Sequence, residues 1–315
     1  MLTVLFATRN RAHLLPDVLE AFCNLQSPAS GWKLVVVDNG SSDDTAGVVS
    51  SFRDRLPLHF QIEPTLGKNF ALNTGLRSIE GDLTVLTDDD VFPHIDWLVQ
   101  LRKAADAQSN YSMFGGAIVP RWEVPPPPWV HWLDLGPIYT LTDPLLPEGP
   151  LPVTEISVIQ GPNMMIRSSV FESGVRFDSS IGPRGPSYPM GSETELLFRL
   201  SRQGHRGWHV RDAIVEHFVS VSSMSKDWIL QRGIRWGRGR QRMSQNVRSC
   251  MGIPLHLFRD MPKEAFVMAA AWAWVRQDAV FRSRWRFNIL RGKAIEARNL
   301  ARERALKRST SGGRG

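Results

Sequence analysis

A chain of 315 residues that is 42% hydrophobic and 22% charged can bury a sizeable core, which excludes intrinsic disorder and a small disulfide-held fold. Its two cysteines, Cys23 and Cys250, are too few for a disulfide framework and lack metal-ligand spacing, which suits a reducing compartment or simply neutral residues. The net charge of +7 conceals a division: residues 226–315 carry 21 Lys and Arg against 6 Asp and Glu, and residues 1–225 carry 17 against 25, so an acidic front meets a basic back whose charge suits nucleic acid, anionic lipid or an acidic partner alike.

The opening MLTVLFATRNRAHLL meets Arg9 and Arg11 directly after a short apolar run, without the basic lead or small-residue cleavage site of a secretory signal. TVLFA (3–7) reads as a strand, HLLPDVLEAFCNL as a helix, KLVVVD (33–38) as a buried strand, DDTAGVVSSF as a helix, LHFQIE as a strand, KNFALNTGLRSI as a helix and DLTVLT as a strand. Such alternation builds right-handed βαβ units and predicts an α/β fold, with a mostly parallel sheet and helices on both faces over the first hundred residues. Ligands of these sheets gather at the carboxyl ends of the strands. Asp38 and the run Asp88, Asp89, Asp90 stand at such ends.

Beyond Trp97 the pattern loosens. FGGAIVP (114–120) reads as a strand, and the proline- and tryptophan-rich RWEVPPPPWVHWLDLGP as a stiff irregular loop. Its Trp122, Trp129 and Trp132 offer flat apolar faces either to an acceptor sugar or to the protein's own packing. VIQGPNMMIRSSVF reads as a strand entering a helix, GSETELLFRLSRQG as a helix ended by Gly204, and DAIVEHFVS as a closing strand. From Lys226 onward the chain reads as mainly helical, which places one domain at 1–225 and a basic, helical region at 226–315. The apolar run 265–275 is about half the roughly 20 residues a spanning helix needs, so no transmembrane segment is expected.

Three consecutive aspartates at a strand end repel one another unless a cation joins them. Hard oxygen ligands suit Mg²⁺ or Mn²⁺, which take one or two carboxylates together with water and substrate phosphate oxygens. A solvated acidic turn before Pro93 is the other reading of the same residues.

FATRNRAHLL, VVVDNGSSDDT, GKNFALNTG and TDDDV, followed by GSETEL, resemble in order and separation the nucleotide-sugar-binding half of family 2 glycosyltransferases of the GT-A fold, over about residues 1–220. The resemblance implies a nucleotide-sugar half at 1–100 and an acceptor half at 101–225. It places Thr8 and Arg9 beside the nucleotide, Asp38 on the base, Lys68 near the phosphates, and Asp88 and Asp90 at the two acidic positions of the DxD motif, with Asp89 meeting ribose or sugar. A carboxylate such as Asp38 can accept from a uracil N–H while Asn39, Gly40 and Ser41 turn around the ring; a cap or turn residue before the helix that follows is the other reading of Asp38. Lys68 without that context is a solvated lysine at a helix start.

In the acceptor half the resemblance implies a general base at Glu193, with Glu195 in reserve. The two lie two residues apart and face different sides of a helix. Relatives commonly carry Gly-Glu-Asp there, whereas Ser192 and Glu193 stand in the Glu-Asp positions here; both acids also suit an ordinary helix N-terminus. His217 stands where many such enzymes add a histidine to the metal, although a lone strand histidine is otherwise structural. RGIRW (232–236) resembles the Gln-x-x-Arg-Trp motif of processive synthases with Arg232 in the Gln position, a departure that argues against a processive enzyme.

The function so implied is a metal-dependent, inverting transfer of sugar from a UDP-sugar to a hydroxyl of a glycan or lipid-linked acceptor, with Mn²⁺ or Mg²⁺, in surface glycan or polysaccharide biosynthesis. Two other classes compete. Arg and Trp interleave in RWGRGRQRM and RSRWRF, as a nucleic-acid-binding tail would require; a nucleotidyltransferase would also use carboxylates on an α/β sheet. The order of the motifs favours the transferase with no nucleic-acid partner. Residues 264–308 mix tryptophan, apolar and cationic residues as interfacial helices do, giving an expected cytoplasmic protein held peripherally at an anionic membrane surface, the inner face of the plasma membrane; the same residues would also suit packing on the catalytic domain.

Overall fold

The computed structural model describes residues 1–143, 145–185, 187–244 and 248–311, with side chains as far as Leu306; Lys307 and Arg308 of the interfacial stretch therefore lie outside the described side chains. Four strands, β1 (Leu2–Thr8), β2 (Trp32–Asp38), β3 (Leu58–Ile62) and β4 (Leu83–Leu86), alternate with α1 (Leu15–Cys23), α2 (Thr45–Ser50) and α3 (Lys68–Gly75). They lie parallel in the order β3-β2-β1-β4. Leu2, Val4, Leu5, Phe6 and Leu34 to Val37 are fully buried, the near-continuous apolar reading of strands covered on both faces. Helix α1 buries Leu15, Val18, Leu19 and Phe22 on one stripe, at the spacing of a single helix face. Gly75 lets α3 close on the sheet, since a β-carbon there would stand 2.3 Å from a Leu5 methyl.

The sheet then turns mixed. β5 (Val91–Pro93), α4 (Trp97–Ala107), β6 (Met113–Trp122), α5 (Leu135–Tyr139), β7 (Gly149–Leu151), β8 (Met164–Arg167), α6 (Ser168–Glu172), α7 (Ser192–Arg202) and β9 (Gly207–Val219) follow. β8 runs antiparallel between β4 and β6, β6 pairs parallel with β9, and both β5 and β7 add antiparallel to β9. The strand expected in VIQGPNMMIRSSVF is confined to β8, because Gly161–Asn163 forms a single 3₁₀ turn. The buried amide of Asn163 sets that turn, accepting from Trp97 Nε1 (2.8 Å) and donating to Ala117 O (2.9 Å) and Ala213 O (2.8 Å). The proline-rich loop is also more ordered than its composition implies. Pro128–Trp132 makes a 3₁₀ turn before α5, as prolines preset at the first positions of a turn permit.

The described chain forms two compact units. The first comprises residues 1–123, 135–179 and 192–219, and holds the whole nine-stranded sheet. The second comprises 124–134, 180–191 and 220–315, and is built on α8 (Lys226–Met243), α9 (Leu255–Ala273) and α10 (Gln277–Ser311). Glycines let α8 and α10 pack backbone to backbone: a β-carbon on Gly237 would stand 2.0 Å from Ile289 O, and one on Gly292 2.1 Å from Ile234 O. Arg238 (2.8 Å) and Arg242 (2.6 Å) both reach the fully buried Glu296, and Trp236 stacks on Trp285. The interleaved arginines and tryptophans of RWGRGRQRM thus serve helix pairing in large part. No helix among the described residues is long and apolar enough to cross a membrane.

Candidate active site

The carboxyl ends of β1, β2 and β4 bring their loops to one edge of the first unit. The loop after β1 turns at Asn10, whose φ of 52° is a left-handed conformation that Asn tolerates. That loop is sewn to the one after β2: Asn10 N donates to Ser41 Oγ (2.9 Å), Ser42 N to Asn10 Oδ1 (2.8 Å) and Arg11 N to Thr45 Oγ1 (2.9 Å). Thr8 is buried, its carbonyl accepting from Asn39 N at 2.9 Å. Arg9 is exposed.

Asp38 closes β2. Its Oδ1 accepts from Ser41 N (3.1 Å) and from the Ser41 hydroxyl, while Oδ2 has only a 3.4 Å contact with Ser41 N. One carboxylate oxygen is therefore held by the turn and the other retains capacity for a donor. Asn39 spends its amide on the next loop: Oδ1 accepts from Gly67 N (2.7 Å), and Nδ2 donates to Glu63 O (2.9 Å) and Thr65 O (2.8 Å). This holds Gly67 at a φ of 137°, which favours glycine, and aims Lys68 from the start of α3.

Lys68 Nζ donates to Asp88 Oδ1 (2.6 Å) and Glu193 Oε1 (2.9 Å). Burial would lower the pKa of its ammonium; the two carboxylates outweigh it and raise the pKa, so the lysine is charged. Glu193 arrives in the first turn of α7, beside Gly161, where a β-carbon would stand 2.8 Å from Glu193 Oε1. Glu195 faces elsewhere. Both its oxygens accept from Arg199, at 2.9 Å each, and Arg199 in turn donates to Arg176 O (2.8 Å). Substitution of Gly161 by alanine is expected to displace Glu193 and cut turnover by about tenfold or more, as misplacements of this size do, while circular dichroism and melting show a folded chain.

The three aspartates run from β4 into β5, which lays Val91 opposite His217 on β9. That register brings Asp90 to His217, with Phe218 N donating to Asp90 O at 2.9 Å. His217 Nδ1 donates to Tyr139 O (2.7 Å), which fixes the ring and turns Nε2 to within 3.4 Å of Asp90 Oδ1. Arg11 reaches Asp89 Oδ1 through Nε (3.3 Å) and Asp90 Oδ2 through its terminal nitrogen (3.3 Å). Burial drives the Asp89 carboxyl well above the usual carboxylate range, against the pull of Arg11. Burial also opposes charge on Asp90, but His217 and Arg11 outweigh it and hold that carboxyl low. His217 is raised in return, because Asp90 outweighs the effect of its burial.

Asp90 Oδ1 is buried with no aligned hydrogen-bond donor, and it faces a ring nitrogen. An oxygen and an imidazole held this way fit a hard divalent ion that takes its remaining ligands from phosphate and water. Asp88 stands in contact with Lys68, and among the described residues no three His, Cys, Asp or Glu side chains converge as a ready ligand set. Trp122 packs edge-to-face on Tyr139, with ring centroids 5.4 Å apart. Trp129 and Trp132 belong to the second unit, where the Lys226 ammonium lies 5.4 and 5.5 Å from their rings.

Residues 3–174 match the family model described as glycosyl transferase family 2. The chain belongs to that family. It is 26% identical over 255 residues to the probable glycosyltransferase YdaM of Bacillus subtilis, an alignment covering 76% of this chain and 55% of that protein. The chain spans about half the length of this relative and a third or less of the next ones it matches. Among solved structures it resembles the mannosyltransferase PcManGT from Pyrobaculum calidifontis in complex with GDP-Man and Mn²⁺, with a TM-score of 0.64, 20% identity and coverage of 94% of this chain and 86% of that one. It also resembles Staphylococcus aureus TarS 1-349 in complex with UDP-GlcNAc, with a TM-score of 0.54, 13% identity and coverage of 96% and 91%. The architecture is the GT-A fold of family 2, with a C-terminal helical region.

Arg11 and Gly161 are the site residues that sequence reasoning did not single out. Arg11 stands two places after Arg9 in FATRNRAHLL, beyond a strand end, and that position was the available signal. Nothing in the local sequence marks Gly161, whose role follows from the approach of α7.

Proposed function

We propose that this family 2 chain transfers a sugar from a nucleotide-sugar donor, a UDP-sugar in the first instance, to a hydroxyl of a glycan or lipid-linked acceptor, with inversion, in the synthesis of a surface glycan or polysaccharide. The observation that carries this reading is the bridge through Lys68, which ties Glu193 of α7 to Asp88 of the strand-end aspartates. A base at Glu193 would then act one side chain away from a donor held at Asp88. In the proposed reaction Glu193 takes the proton of the acceptor hydroxyl as its oxygen bonds to the anomeric carbon, and the bond from that carbon to the diphosphate breaks with its electron pair leaving on the nucleotide. One displacement inverts the centre, and no covalent enzyme intermediate is needed.

Asp38, with one oxygen held by Ser41, would accept from the base, and Thr8, Arg9 and Asn39 would line the nucleotide. Asp89 would meet ribose or sugar. Asp90 and His217 would hold Mn²⁺ or Mg²⁺, with Asp88 set by Lys68 beside them. When bound, the ion supplies positive charge against the departing diphosphate. The neighbours with GDP-Man and Mn²⁺ and with UDP-GlcNAc support a nucleotide-sugar donor and a divalent ion. Trp122, Trp129 and Trp132 would offer ring faces to an acceptor sugar.

The test is a screen of UDP-, GDP- and dTDP-sugars by release of the product nucleotide, with and without Mn²⁺ and Mg²⁺. Metal-stimulated release from one donor class is expected. A chain that binds no nucleoside diphosphate with Mn²⁺ and neither transfers nor hydrolyses any donor would refute the reading.

A further inference from the structure

Helix α9 ends in an apolar tip that the described residues leave open to solvent. The run AFVMAAAWAWV (265–275) carries no charge and is bounded by Glu264 and Arg276. Phe266 is 74% exposed and Trp272 75%, and in the turn to α10 Trp274 is 82% and Val275 80% exposed. Single exposed apolar residues are ordinary, whereas three large ones gathered at one end of a helix pair, with Phe266 two turns back along α9, mark an interaction surface. The turn carries a second, independent sign. Val275 adopts a φ of 54°, where a β-branched side chain is strained and glycine or asparagine would turn freely. Strain of this kind persists where something other than folding favours the residue.

The chemistry around the tip selects its partner. α9 and α10 pack together, so the tip is the closed end of a hairpin, suited to entering a yielding surface. Tryptophan prefers the boundary between headgroup and hydrocarbon. Arg276, which also contacts Asp278 at 3.4 Å, stands exposed in the turn itself, and Arg284 and Arg286 stand exposed on the first turns of α10, placed to meet lipid phosphates while their stems lie along apolar surface. We propose that Phe266, Trp272, Trp274 and Val275 insert into the headgroup layer of an anionic bilayer and hold the chain there reversibly. The apolar tip is the anchor, and the basic residues orient it. Arg238 and Arg242 cannot lead that attraction, since Glu296 already takes them. This proposal stands independently of the transferase reading.

Flotation of the whole chain with phosphatidylcholine vesicles, and with vesicles that also contain phosphatidylglycerol, tests it. Binding to the anionic vesicles is expected, with a fraction retained at high salt because insertion is apolar. Replacing Trp272 and Trp274 by serine should lower the partition coefficient by about tenfold for each ring removed, with an unchanged melting curve because both side chains face water. Val275→Gly should melt no lower than the parent and bind several-fold more weakly. Three results would each overturn the proposal: no binding to either vesicle, binding that survives the double serine variant, or a lipid-free self-association that the double variant abolishes, which would make a second copy of the chain the occupant.

Discussion

Glu193→Gln is expected to lower transfer by about 10²–10⁴-fold, the range that general base catalysis contributes, while nucleotide and Mn²⁺ affinity stay within a few-fold. The amide keeps an oxygen for Lys68, which donates to Glu193 at 2.9 Å, so the lysine remains aimed at Asp88; what is lost is the acceptor of the hydroxyl proton. Glu195→Gln gives the contrast. Its carboxylate is paired with Arg199 one turn along the same helix, an interaction worth about 0.5 kcal/mol, so turnover should hold within a few-fold and stability should fall slightly. Burst-phase and steady-state rates for both variants, with nucleotide binding by calorimetry, separate the two. If the Glu195 variant loses transfer and the Glu193 variant keeps it, the base is Glu195.

The strand ends were legible because KLVVVD and DLTVLT are apolar runs that close on a polar residue, Asp38 and Thr87, and parallel strands covered on both faces need such runs. The side-chain partners at those ends were not. Asp88 and Asp90 are equivalent in the sequence, yet one goes to Lys68 and the other to His217, a division made by the pairing of β5 with β9 across more than a hundred residues. Glu193 and Glu195 differ only by helix phase, which the start of α7 decides. The basic tail misleads more, because charge reads as solvent or a polyanion. Gly237 and Gly292 bring α8 and α10 close enough for Arg238 and Arg242 to converge on buried Glu296, and no local pattern announces a contact so distant along the chain.

Asp90→Asn is expected to reduce transfer by about 10²–10³-fold, the scale on which charge stabilisation at a reacting centre acts, and to weaken Mn²⁺ binding by about tenfold or more. The amide fits the same space and leaves the Phe218 N–H bonded to the main-chain oxygen. It removes the charge that faces His217 and Arg11, which hold Asp90 ionised against its burial, so a stability loss on the order of 1 kcal/mol should accompany it. Mn²⁺ affinity measured by proton relaxation, without substrate, reads the site apart from catalysis. His217→Ala supplies the decisive comparison. If one ion is shared by Asp90 Oδ1 and His217 Nε2, each single variant should remove most of the affinity and the double variant little more, the non-additivity expected of two ligands to one centre. Additive losses would place the two residues on separate functions, and unchanged affinity in both variants would return the three aspartates to the reading of an acidic turn held by Arg11 and Lys68.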